Sequence, residues 1–102
     1  MITYNKLVRD KIPQIIEADG KQYDIKQVDK EETIKYLITK FDEEISEFKE
    51  DHSIEELADI LEIIHGIAHH MEFDLVELEK VRAEKAEKRG GFIDGVVLGS
   101  VW

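Results

Sequence analysis

The chain has 102 residues, 42% hydrophobic and 37% charged, with one Pro, six Gly and no Cys. That length fits one domain over residues 1–102, and the absence of Cys removes disulfides, thiol nucleophiles and Cys-ligated zinc from its chemistry. No apolar run approaches the roughly 20 residues that cross a bilayer, and a net charge of −10 argues against a general nucleic-acid partner.

In chain order, Asn5, Lys6, Arg9 and Asp10 interrupt the N-terminus with polar groups where a signal peptide needs an apolar core, so the expected compartment is cytoplasmic. A short helix is predicted over residues 10–18, with Pro13 in its first turn, where the missing N–H does no harm, and Gly20 ending it. Three further helix starts carry an acceptor residue followed three places later by Glu. Asp29 with Glu32 opens a helix to about Asp51, and Ser53 with Glu56 opens one to about Met71. Asp74 with Glu77 opens a third to Arg89, stopped by Gly90 and Gly91. Residues 22–28 alternate loosely, and residues 92–102 combine an Asp94-Gly95 turn with a β-branched tail, so the two segments are candidates to pair as a small β-hairpin. The expected fold is therefore an all-α helical bundle of about four helices, with that hairpin as an optional addition. A domain this small leaves much of its surface exposed, so shared burial in an obligate homo-oligomer, most simply a homodimer through the third of these marked helices' broadly apolar predecessor at 53–71, is expected.

Charge is unevenly spread. Residues 40–62 hold ten acids and two bases, whereas residues 1–12 carry a net +2 and residues 80–89 a net +3. Helical phase, at about 100° per residue, sorts the acids further. Ile34, Leu37, Ile38, Phe41, Ile45 and Phe48 make one apolar stripe, with Glu44 on its edge, Glu47 next to it and Glu43 nearly opposite. In the following helix Glu56 lands inside a broad apolar arc that includes Ile60, Ile63, Ile64 and Ile67, and Asp59 sits beside it. Two i, i+3 carboxylate pairs, Glu44/Glu47 and Glu56/Asp59, would thus face one another across an antiparallel turn at Asp51 and Ser53. Four carboxylates in one space repel, and a hard cation with oxygen ligands, Mg²⁺ or Mn²⁺, is the ordinary remedy. The plainer alternative is that Glu56 only caps its helix, Asp59 and Glu47 are solvated flanks, and Glu44 makes an exposed pair with Lys40.

Glu43-Glu44-Ile45-Ser46-Glu47 followed by Glu56-Leu57-Ala58-Asp59 resembles the E-E-x-x-E … E-x-x-D signature of the MazG-like all-α nucleoside triphosphate pyrophosphohydrolases, the superfamily that includes phosphoribosyl-ATP pyrophosphohydrolase. Tyr4 to Pro13, reading YNKLVRDKIP, and Arg89-Gly90-Gly91-Phe92 are similar to a small single-domain branch of house-cleaning enzymes. The gap of eight residues between Glu47 and Glu56 is shorter than in many members. The resemblance implies that Glu44, Glu47, Glu56 and Asp59 bind Mg²⁺, or Mn²⁺ in its place. It also implies hydrolysis of noncanonical nucleoside triphosphates at the α–β phosphoanhydride to a monophosphate and pyrophosphate, with Glu47 as a candidate proton acceptor and Glu43 as a secondary catalytic candidate. Lys6, Arg9, Lys85 and Arg89, in the two basic ends, are the candidate phosphate ligands; Lys85, Lys88 and Arg89 also suit the negative end of their own helix. His65 and His69 share a helix face without an H-E-x-x-H pattern, and packing is their simpler role. Two other functions fit the same residues: a non-catalytic helical interaction module, and a divalent-cation-binding protein without turnover.

Overall fold

The computed structural model describes residues 1–2 and 4–102 and is all-helical, with no strand among the described residues. Four helices run in order: α1 Ile12–Ala18, α2 Lys30–Glu50, α3 Ile54–His70 and α4 Leu75–Arg89. The chain divides into two compact units, Met1–Glu72 and Phe73–Trp102. Among the described residues, no helix is long and apolar enough to cross a membrane.

Caps set the helix starts. The Asp29 carboxylate accepts from the Glu32 N–H at 2.8 Å, and the Ser53 hydroxyl accepts from the Glu56 N–H at 3.3 Å. Asp74 caps α4 through the Val76 N–H, one residue earlier than the Asp74/Glu77 spacing predicts. α1 starts at Ile12 without a side-chain cap, and Pro13 occupies its first turn. α3 closes at Met71, followed by Glu72 in the left-handed region at φ 61°, whose N–H reaches the His69 carbonyl.

In the first unit α2 and α3 pack against each other as a helical hairpin, joined by Asp51, His52 and Ser53. Its core is small: Leu37 of α2 and Ile63 and Ala68 of α3 are the buried hydrophobics. Gly66 lets Leu37 pack tightly on α3, because a Cβ there would stand 3.3 Å from the Leu37 Cδ2. The ion pair of Lys30 with Glu72, 3.3 Å, ties the start of α2 to the end of α3. Ile54, Leu57 and Leu61 of α3 remain exposed, as does Ile38 of α2.

The second unit holds α4 and the segment after it. Arg82 and Glu79 make a two-pronged ion pair on α4. Residues 92–102 have no regular structure, and Phe92, Ile93, Val96, Val97, Leu98, Val101 and Trp102 are all largely exposed. The hairpin expected from residues 22–28 and 92–102 is therefore absent among the described residues. Alternation over a few residues is a weak signal, and an isolated two-stranded hairpin is marginal in water.

Candidate metal centre

The hairpin turn determines what the acidic segment can do. Leu37 and Glu44 are seven residues apart on α2, two turns along one face, and both point inward. Glu44 is thus the one buried charged residue among those described, only 8% exposed. Glu56 and Ile63 repeat that spacing on α3, and Glu56 and Asp59 are half-buried. Because α3 runs back along α2, these positions converge. One carboxylate oxygen from each of Glu44, Glu56 and Asp59 lies within 4.8 Å of the others.

Among the described residues, two cations touch the cluster. Lys40 Nζ stands 3.9 Å from Glu44 Oε1, one turn earlier on α2, in a pair that is mostly buried. Arg9 Nη2 donates to Asp59 Oδ1 at 2.7 Å. Neither contact satisfies the inner oxygens: Glu44 Oε2 and Glu56 Oε2 are buried without a hydrogen-bond partner. Burial, reinforced by the charges of Glu47 and Asp59, pushes the Glu44 carboxyl from its ordinary 4.5 up to about 7 against the opposing pull of Lys40. Burial and the nearby Glu47 charge also push Glu56 up.

Helix capping does not account for this arrangement. Ser53 does cap α3, but in a reciprocal capping box the Glu56 side chain would return to the Ser53 N–H. That N–H instead donates to the Asp51 carbonyl at 2.8 Å, and the Glu56 side chain faces the cluster. The alternative of an exposed Lys40–Glu44 pair fails in the same way, since the pair exists but Glu44 is buried. Inward carboxylate oxygens left without donors suit a hard divalent cation: they are acceptors only, grouped within a few ångström and expensive to desolvate unpaired.

The remaining sequence candidates are distributed as follows. Glu47 is exposed at the rim of the cluster, where its charge acts on Glu44 and Glu56. Glu43, expected to point outward, is half-buried. Phase fixes a residue's direction relative to one packing partner, and α2 shares its unit with the N-terminal segment as well as α3. Lys6 is exposed and makes no ion pair among the described residues, while Arg9 lies directly on Asp59. Lys85 and Arg89 are exposed, one turn apart near the end of α4, and belong to the second unit. His65 is half-buried in α3, in keeping with a packing role. Sequence reasoning did not foresee the Arg9–Asp59 pair, and no local signal relates two residues 50 positions apart.

No family model, curated protein or solved structure matches this chain.

Proposed function

We propose that the chain is a Mg²⁺-dependent hydrolase of the MazG-like kind. More particularly, we read it as a nucleoside triphosphate pyrophosphohydrolase that cleaves the α–β phosphoanhydride of noncanonical nucleotides to a monophosphate and pyrophosphate. The observation that carries the reading is the buried Glu44, with an orphaned oxygen beside those of Glu56 and Asp59. Glu44, Glu56 and Asp59 would hold Mg²⁺, or Mn²⁺, with Glu47 at the rim as the fourth carboxylate. When bound, the ion would acidify a coordinated water and offset phosphate charge. Glu47, exposed beside the cluster, is the group placed to accept a proton from an attacking water, with Glu43 as the secondary candidate. A triphosphate brings about four negative charges, so the site needs cations on its outer side; Arg9 and Lys6, in the same unit as the cluster, are the proposed phosphate ligands.

The same reading includes a cytoplasmic homodimer. Its support is the small core together with Ile54, Leu57 and Leu61, which recur on one side of α3 and remain exposed. Those exposed residues are also what favours the competing reading, a helical interaction module without turnover. The two are separated by ³¹P NMR of a nucleoside triphosphate incubated with the protein and Mg²⁺. Pyrophosphate and monophosphate as the sole products support the proposal. Orthophosphate and diphosphate, or an unchanged spectrum across a panel of canonical and modified bases, would contradict it.

A further inference from the structure

Of the side-chain to side-chain hydrogen bonds among the described residues, only Arg9 to Asp59 joins distant parts of the chain. It fixes the N-terminal segment to α3. The Arg9 backbone is itself positioned at the entry to α1, where its carbonyl accepts from the Ile12 N–H at 3.0 Å. The guanidinium lies at the outer side of the cluster, about half exposed, and uses a single N–H on Asp59 Oδ1. A guanidinium has five such donors, so most of its hydrogen-bonding capacity faces away from the protein's own acceptors.

We propose that Arg9 is the cluster's built-in counter-ion and that it and a divalent cation occupy Asp59 alternately, so that cation binding releases the segment of residues 4–11 from α3. The inference rests on the cation-site reading above. Its physical basis is like-charge repulsion. Mg²⁺ and Mn²⁺ sit close to their carboxylate ligands, at about 2 Å. An ion shared by three oxygens that lie within 4.8 Å of one another would stand only a few ångström from a guanidinium held 2.7 Å from one of those carboxylates. Even with water-like screening, a double and a single positive charge about 5 Å apart disfavour each other by roughly tenfold in affinity. Lys40 cannot serve the same exchange, because it is 3.9 Å from Glu44 and largely enclosed. The released guanidinium, with its donors unspent, is then available to a phosphate oxygen of an anionic ligand. In this arrangement phosphate contact by Arg9 follows cation loading.

The test is Mn²⁺ titration, followed by electron paramagnetic resonance, of the full chain and of its Arg9→Gln and Arg9→Lys variants, with the heteronuclear ¹⁵N–¹H NOE of residues 4–11 measured with and without diamagnetic Mg²⁺. Arg9→Gln should bind Mn²⁺ about tenfold more tightly, and Arg9→Lys, which keeps the charge, should remain closer to the parent. In the parent, Mg²⁺ should lower the NOE of residues 4–11, whereas in Arg9→Gln it should already be low without the ion. Weaker or unchanged Mn²⁺ affinity in Arg9→Gln, or a raised NOE across the segment on Mg²⁺ addition, would overturn the alternation and leave the cation site standing. Absence of Mn²⁺ binding in all three proteins would overturn both readings.

Discussion

Replacing Glu44 with Gln should stabilise the protein in EDTA at pH 8 while removing its response to Mg²⁺. A Glu with an ordinary pKa of 4.5 that is raised to about 7 by folding binds its proton more tightly in the folded state. Between those values the folded state carries more protons than the unfolded one, so stability falls as pH rises through the window. At 1.36 kcal/mol for each tenfold change in proton affinity, the loss is about 3 kcal/mol and is complete above pH 7. Gln keeps the shape and can donate to the neighbouring carboxylates, so it should avoid that loss. The weakened contact with Lys40 offsets little, because the pair is long at 3.9 Å. For a chain of this size about 3 kcal/mol corresponds to a rise in Tm of roughly 15 °C. Thermal melts of both proteins at pH 5 and pH 8, in EDTA and in Mg²⁺, measure it. The parent should melt lower at pH 8 than at pH 5 in EDTA and recover with Mg²⁺; the variant should not respond to Mg²⁺ and should keep only the pH dependence that Glu56 contributes. A Glu44→Gln protein less stable than the parent at pH 8 in EDTA would mean that the charged form of Glu44 is well accommodated without an ion.

Other substitutions separate the cluster from the scaffold. Glu56→Gln should abolish Mg²⁺-dependent stabilisation and turnover while leaving the cap of α3 intact, because the backbone N–H of residue 56 serves Ser53; lowered stability in EDTA with turnover unchanged would make residue 56 a cap alone. Ser53→Ala should cost about 1 kcal/mol, read by urea denaturation, with Mg²⁺ affinity retained. Gly66→Leu should cost about 1–3 kcal/mol by forcing α3 away from Leu37, and by spreading the carboxylates it should weaken Mg²⁺ binding measured calorimetrically. An EDTA-treated sample should lose stability with rising pH through the window from 4.5 to about 7, and a saturating divalent cation should flatten that slope.

What the sequence made legible follows from how local each signal is. Helix boundaries depend on caps within three residues of the start, and Asp29, Ser53 and Asp74 place α2, α3 and α4 almost without error. The convergence of Glu44, Glu56 and Asp59 depends only on helical phase and a short turn, so it too was readable. Degrees of burial were not. Phase set Glu44 at the edge of its stripe and Glu56 within its arc, yet Glu44 is the deeper, because α2 turns Leu37 and Glu44 toward α3 when Leu37 settles against Gly66. Glu47, one turn on, stays at the rim as a consequence. The exposure of residues 92–102 and the Arg9–Asp59 pair depend on tertiary placement alone. A basic residue near the N-terminus signals a need for an anion, and nothing in the sequence specifies that the anion is an aspartate on α3.

The role proposed for the carboxylate cluster is divalent-ion-dependent hydrolysis of nucleotides. It is tested most directly by measuring pyrophosphate release from a panel of canonical and modified nucleoside triphosphates, with the parent and Glu56→Gln side by side in Mg²⁺ and in EDTA. The parent should release pyrophosphate in Mg²⁺ only, and Glu56→Gln under neither condition. Release that persists in EDTA or in Glu56→Gln, or no release by the parent from any member of the panel together with a Tm indifferent to Mg²⁺, would contradict it.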